Sequence, residues 1–291
     1  MIQALLIVYG VVAATALASW AYFQRYAITR PPIGVFGLID IAFMLAAIIV
    51  MPVLYLLAPR WLVVAVLALA AVSTWSLLVE PVVRRRAVRW TLILLLLGAD
   101  IALARRFGVI SGPTLAVNNL VLAGLAIGIT NLWVQSGMSA RAITVLGAAL
   151  IGYDYIATSL LGQMGALMGR LAALPLTPIV AWPTPSGQWV GIGVGDVLLL
   201  TAFPLVMRKA YGRQAGRLAL GLGLATIAAT LLALIHRGAV AIFPLMTALG
   251  PLMLLQDACW RRRRGRERTT YEFRRAEPLR GQAAEPEACA P

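Results

Sequence analysis

Residues 187–207 read GQWVGIGVGDVLLLTAFPLVM. The stretch is almost wholly apolar, carries glycine at 191, 193 and 195, and holds one acid, Asp196. Its length suits a bilayer-crossing helix, which needs about 20 apolar residues. A carboxylate inside such a helix is costly unless it is paired, solvated or neutral. The stretch therefore reads as a membrane span, and its acid needs a physical account.

The rest of the chain agrees with a membrane setting. Of 291 residues, 61% are apolar and 12% charged, and the mean hydropathy is +0.86; soluble domains carry about 45–50% apolar residues. Apolar runs predict nine spans, 2–23, 33–57, 61–79, 90–104, 114–135, 141–163, 188–207, 217–235 and 238–256. The expected fold is an all-α polytopic membrane protein. The connection 164–187 holds Pro175, Pro178, Pro183 and Pro185, which oppose one long helix there. No positively charged segment precedes the first apolar run, so that run reads as a retained anchor rather than a signal peptide. Cys259 and Cys289 give no disulfide framework, and Cys289 lies third from the end, outside a prenylation box.

Lys and Arg report sidedness. With the N-terminus outside and the C-terminus in the cytoplasm, the inner loops carry eleven basic residues and the outer loops five, and the tail adds nine arginines from 261-RRRR-264 onward. The net charge of +14 is then mostly an orientation signal that also meets anionic lipid, and nucleic acid is not an expected partner. The chain divides into a five-helix region (1–140), a region of spans six to nine (141–257) and a basic tail (258–291), whose polar, proline-bearing sequence predicts disorder.

Four of the eleven acids fall within spans: Asp40, Asp100, Asp154 and Asp196; Glu80 and Asp257 sit at span ends. Asp154 lies 13 residues past Arg141, and Asp196 lies 12 residues before Arg208. At 1.5 Å per residue both sit roughly 18–20 Å from the same membrane face, on consecutive antiparallel helices. Two carboxylates sharing a site hold one proton between them. That is the aspartic-protease arrangement: one activates water and the other polarises the scissile carbonyl. Gly191, Gly193 and Gly195 would let an extended backbone approach and allow local unwinding, although small residues also serve plain helix packing in membranes.

Tyr153-Asp154 on one span and Gly193-Val194-Gly195-Asp196 on the next resemble the YD and GxGD motifs of the presenilin and signal peptide peptidase family of intramembrane aspartyl proteases. The family's Pro-Ala-Leu motif has a degenerate counterpart in Pro244-Leu245-Met246, with Pro251 seven residues beyond. The resemblance covers roughly 141–256. It implies a catalytic pair Asp154 and Asp196, a site shaped by Tyr153, Gly193 and Gly195, and a border at Pro244, Leu245 and Met246. The orientation and the short 164–187 connection are similar to the signal peptide peptidase branch, which implies an intact chain without obligate partner subunits. Substrates would be transmembrane helices such as signal-peptide remnants or type II single spans, cleaved with water and no metal or other cofactor. Ile179-Val180-Ala181 and Trp189-Val190 would form a strand pair on which substrate docks.

Other chemistries compete less well. A single histidine, His236, excludes a zinc HExxH site, and 135-QSG-137 lacks the glycine of a rhomboid serine motif. A prepilin peptidase also uses GxGD, but a lysine is expected where Leu198 stands. A proton-coupled carrier using the four intramembrane aspartates stays open. The arginine-rich, lysine-poor composition points to a GC-rich prokaryote, hence a plasma membrane.

Overall fold

A computed structural model describes residues 1–28, 36–160, 162–237 and 245–276. Its helices are α1 (Ile2–Arg25), α2 (Leu38–Leu57), α3 (Arg60–Val79), α4 (Arg86–Phe107), α5 (Gly112–Gln135), α6 (Ala140–Tyr155), α7 (Gln163–Leu171), α8 (Val194–Tyr211), α9 (Arg213–Arg237), α10 (Met246–Arg264) and α11 (Thr270–Ala276). Strands β1 (Ile179–Pro183) and β2 (Trp189–Gly193) form an antiparallel hairpin before α8. Among the described residues, seven helices are long and apolar enough to cross a membrane: α1 to α6 and α9. The chain is an all-α polytopic membrane protein bearing one small hairpin.

Local sequence sets the boundaries. Ser111 and Ser139 accept from the amides of Thr114 and Ala142 and so cap α5 and α6. Gly108 and Gly212, at φ 87° and 104°, end α4 and α8. The fourth span is longer than its apolar core suggests, because the helix continues through Arg86 and Arg89. Span 141–163 is shorter than expected: α6 stops at Tyr155 and a π-helical turn follows over Ile156–Leu160. Span 188–207 is corrected too, because its first residues are strand and the helix begins at Val194. Trp-Val-Gly-Ile-Gly pairs with Ile-Val-Ala-Trp-Pro across a turn closed by Thr184, whose amide donates to the Gln188 carbonyl at 2.8 Å.

α8 is the central helix. From Val197 to Tyr211 it is buried except for Leu198, and it packs against α1, α5, α6, α9 and α10. Its end carries Arg208 and Lys209, both 3% exposed. The Arg208 guanidinium stacks over Trp20 at 4.9 Å, and the chain's one lysine donates to the carbonyls of Val134 and Met138.

The tail is ordered in part. Glu267 accepts from the Ala140 amide at 2.7 Å, at the start of α6. Arg268 donates to the Arg208 and Lys209 carbonyls at the end of α8. Phe273 is buried and stacks on Phe23, with ring centroids 5.4 Å apart. Residues 277–291 of the expected disordered tail lie outside the described residues. Asp257 is buried as well, not solvated at an interface: it accepts from the Tyr211 hydroxyl at 2.9 Å and pairs with Arg261.

Candidate active site

Asp154 is the penultimate residue of α6, and Asp196 stands in the first turn of α8. The two helices pack together, and each acid lies roughly 20 Å along its helix from the ends joined by the tail. Both carboxylates are half-buried and line one cavity of about 1140 Å³.

The start of α10 meets Asp154. The Met246 amide donates to Asp154 Oδ2 at 3.0 Å, and Thr158 Oγ1, on the π-helical turn, donates to Oδ1 at 3.1 Å. A helix N-terminus has unpaired amides and a positive dipole end, so it orients a carboxylate well. The crossing of α6 and α10 is tight enough to fix this contact. A Cβ on Gly250 would sit 2.2 Å from Ile151 Cγ1, and one on Gly147 would sit 3.2 Å from Met253 Cε.

The hairpin forms the opposing wall. Val194 N–H donates to the Pro178 carbonyl at 3.0 Å, which ties the first residue of α8 to the strand entry. Strand alternation then pairs Val180 and Trp182 with Ile192 and Val190. The N–H and C=O of Trp189 and Gly191 face away from β1, and both residues line the cavity. On the far side Asn119 grips Ala181 twice, donating from Nδ2 to its carbonyl at 2.9 Å and accepting its amide at 3.1 Å. Asn118 Nδ2 donates to the Thr177 carbonyl at 3.0 Å.

The glycines differ in what they do. Gly191 needs its missing Cβ, which would lie 2.7 Å from Ile179 Cγ2 and 2.9 Å from the Val180 carbonyl oxygen. Gly193 has ordinary contacts, 3.5 Å from Met168 Cε, and Gly195 has nothing within 4 Å. Tyr153, Gly193, Gly195, Leu245 and Met246 all line the cavity with the two acids. Pro244 lies outside the described residues.

The other two span acids are elsewhere. Asp40 is in the first turn of α2, not within the span's body, and accepts from the Gly37 amide at 2.6 Å. Asp100 is fully buried on α4 and accepts from the Leu176 amide at 2.8 Å. Sequence reasoning missed the Met246 amide, Thr158, the Gly147–Gly250 crossing and the Asn118–Asn119 clamp. Only the clamp left a signal, two adjacent amides in an apolar span. A scan of family models finds none that matches the chain, and a search of curated proteins finds no match.

Proposed function

We propose that the chain is an intramembrane aspartyl protease of the signal peptide peptidase type, with Asp154 and Asp196 as its catalytic pair. The observation that carries this reading is the meeting of both carboxylates on one cavity, at matched depth on two packed helices, beside a strand edge. One carboxylate takes a proton from a water molecule, and the resulting hydroxide adds to the scissile carbonyl carbon. The other carboxyl donates its proton to the carbonyl oxygen, giving a gem-diol. Collapse of the gem-diol breaks the C–N bond, with a proton passing to the leaving amine. Met246 N–H and Thr158 Oγ1 hold Asp154 in place for this exchange.

A helical peptide bond is shielded, so the substrate has to unwind. The outer edge of β2 offers backbone groups to an extended segment, and Gly191 keeps that strand close to β1. α2, only 6% buried over its apolar window, borders the cavity through Met44, Ile48, Met51 and Pro52, and on this reading its exposed apolar surface faces lipid and marks the side from which substrate enters. On this reading α8 and α10 also cross the bilayer, giving nine crossings with the N-terminus outside and the C-terminus in the cytoplasm. Support comes from the tail, which gathers the ends of α1, α5, α6 and α8 that this topology assigns to one face. Substrates are signal-peptide remnants or type II single-span helices, the membrane is a prokaryotic plasma membrane, and no partner subunit is required.

The test is cleavage of a fluorogenic single-helix substrate by the purified chain in liposomes. Asp154→Asn and Asp196→Asn should each abolish cutting, and Asp40→Asn should not. Cutting that survives both dyad changes would rule the pair out. Gradient-driven uptake without cutting, and without dyad-dependent binding of a hydroxyl transition-state mimic, would favour a carrier.

A further inference from the structure

Asp100 has no part in the chemistry above, yet it is wholly buried on a helix whose other faces are largely exposed. Its Oδ2 accepts from the amide of Leu176 at 2.8 Å. Leu176 is the only described non-glycine residue with positive φ, at 57°, a conformation that side-chain sterics disfavour. Its side chain is buried in a cluster with Ala71, Ile93, Leu97 and Val121, from α3, α4 and α5. Pro175 and Pro178 bracket the turn, so the backbone can enter β1 in few other ways.

A short path joins this turn to the proposed catalytic pair. Leu176 is two residues before Pro178, whose carbonyl accepts the Val194 amide. Val194 opens α8 and is two residues before Asp196. The turn also begins the strand that aligns β2, the edge offered to substrate. Asn118 and Asn119 fix β1 further along, at Thr177, Ile179 and Ala181, but neither reaches the Leu176 amide. The carboxylate of Asp100 is what satisfies that buried donor.

We propose that Asp100 is a positioning residue that holds the left-handed Leu176 turn and thereby sets the hairpin register and the start of α8 for Asp196. It acts from α4, in the five-helix region that carries none of the motifs, and so gives that region a role in the site. The role in turnover rests on the protease reading, whereas the role in hairpin order does not.

The experiment compares the full-length chain with Asp100→Asn and Asp100→Leu in nanodiscs. Asparagine keeps an oxygen that can accept from the Leu176 amide, and leucine keeps the bulk without an acceptor. Hydrogen exchange of amides 176–194 is read beside kcat and KM on the single-helix substrate. Asp100→Leu should speed exchange in 176–194 at least tenfold while α1 and α5 stay as protected as in wild type. It should also lower kcat at least tenfold and raise KM. Asp100→Asn should restore slow exchange and most of kcat. Unchanged hairpin exchange in Asp100→Leu would overturn the proposal, as would uniform loss of protection throughout the bundle, or an asparagine variant as impaired as the leucine one. If wild type neither cuts the substrate nor shows dyad-dependent binding of a hydroxyl transition-state mimic, the protease reading falls, and the exchange pattern alone still decides whether Asp100 positions the hairpin.

Discussion

Gly191→Ala is the sharpest test of the strand pair at the site. The new methyl would stand 2.9 Å from the Val180 carbonyl oxygen and 2.7 Å from Ile179 Cγ2. Ordinary contact begins near 3.4 Å, so β2 has to move by about half an ångström. β1 cannot yield easily, because Asn119 holds Ala181 by both backbone groups. Overpacking of this kind costs about 1–3 kcal/mol. If the strain is relieved by parting the strands, the competent hairpin is depopulated by about 5–150-fold, and activity falls by the same factor. Gly195→Ala is the matched control, since its methyl meets nothing within 4 Å and the backbone there is already helical. Thermal stability and binding of a hydroxyl transition-state mimic are measured for both. The expected result is weakened binding for Gly191→Ala and native stability for Gly195→Ala. Native binding and native stability in Gly191→Ala would refute the close β1–β2 register.

The crossing of α6 and α10 gives a second prediction. Gly250→Val would drive a branched side chain into Ile151, which is itself stiff at χ1. It should pull Met246 from Asp154 and weaken mimic binding at least tenfold, whereas Gly98→Val, with open space around it, should not. A third concerns the tail. Phe273→Ala removes about 3 kcal/mol of packing, so undocking of α11 should rise about a hundredfold, read as mobility of a spin label at Arg275→Cys with both native cysteines replaced by serine. The same probe reads pH. Glu272 accepts the Thr269 amide at 2.8 Å and pairs with Arg266 at 2.7 Å, which lowers its pKa below the ordinary 4.5. A carboxyl whose pKa is lowered when its capping turn forms stabilises that turn, and with it the start of α11, above its ordinary pKa and loses this as pH falls through the lowered value. Label mobility should therefore be constant above pH 5 and rise below 4.5, and Glu272→Gln should abolish that rise.

What the sequence disclosed depended on range. The ends of α1, α3 and α5 fall within two residues of the apolar runs, because charged or capping residues bound those runs. Span six overran because Ile156, Ala157 and Leu160 stay apolar while the backbone turns π-helical, a change that hydropathy does not register. At 189–193 the residues suit strand or helix equally on apolarity alone, so hydropathy reads them as the start of a span; the strand pair is what the resemblance of the preceding segment implies. The two acids were legible because each has one helix of charge-marked length beneath it. Their supports were not. Met246 contributes a backbone amide, which side-chain identity does not announce, and it lies 92 residues from Asp154. Asp100 and Leu176 are 76 residues apart.

Among the described helices seven are long and apolar enough to cross a membrane; on the nine-crossing reading α8 and α10 fall short of that mark for a physical reason. A helix facing lipid must be apolar on its surface, whereas a helix enclosed by other helices meets protein and can carry charge if partners are supplied. α8 is enclosed, and its charges are matched locally: Arg208 by Trp20 and Phe23, Lys209 by carbonyl groups of the α5 end and its following loop. α10 meets the same condition at its end, where Asp257 is held by Tyr211 and Arg261. On the nine-crossing reading, two of the three helices that converge on the cavity are thus those that apolarity marks least. The bundle shelters α8 along its length and α10 on the face that carries Met246, Gly250, Met253 and Asp257, so polar groups can be housed there where a solitary helix could not hold them.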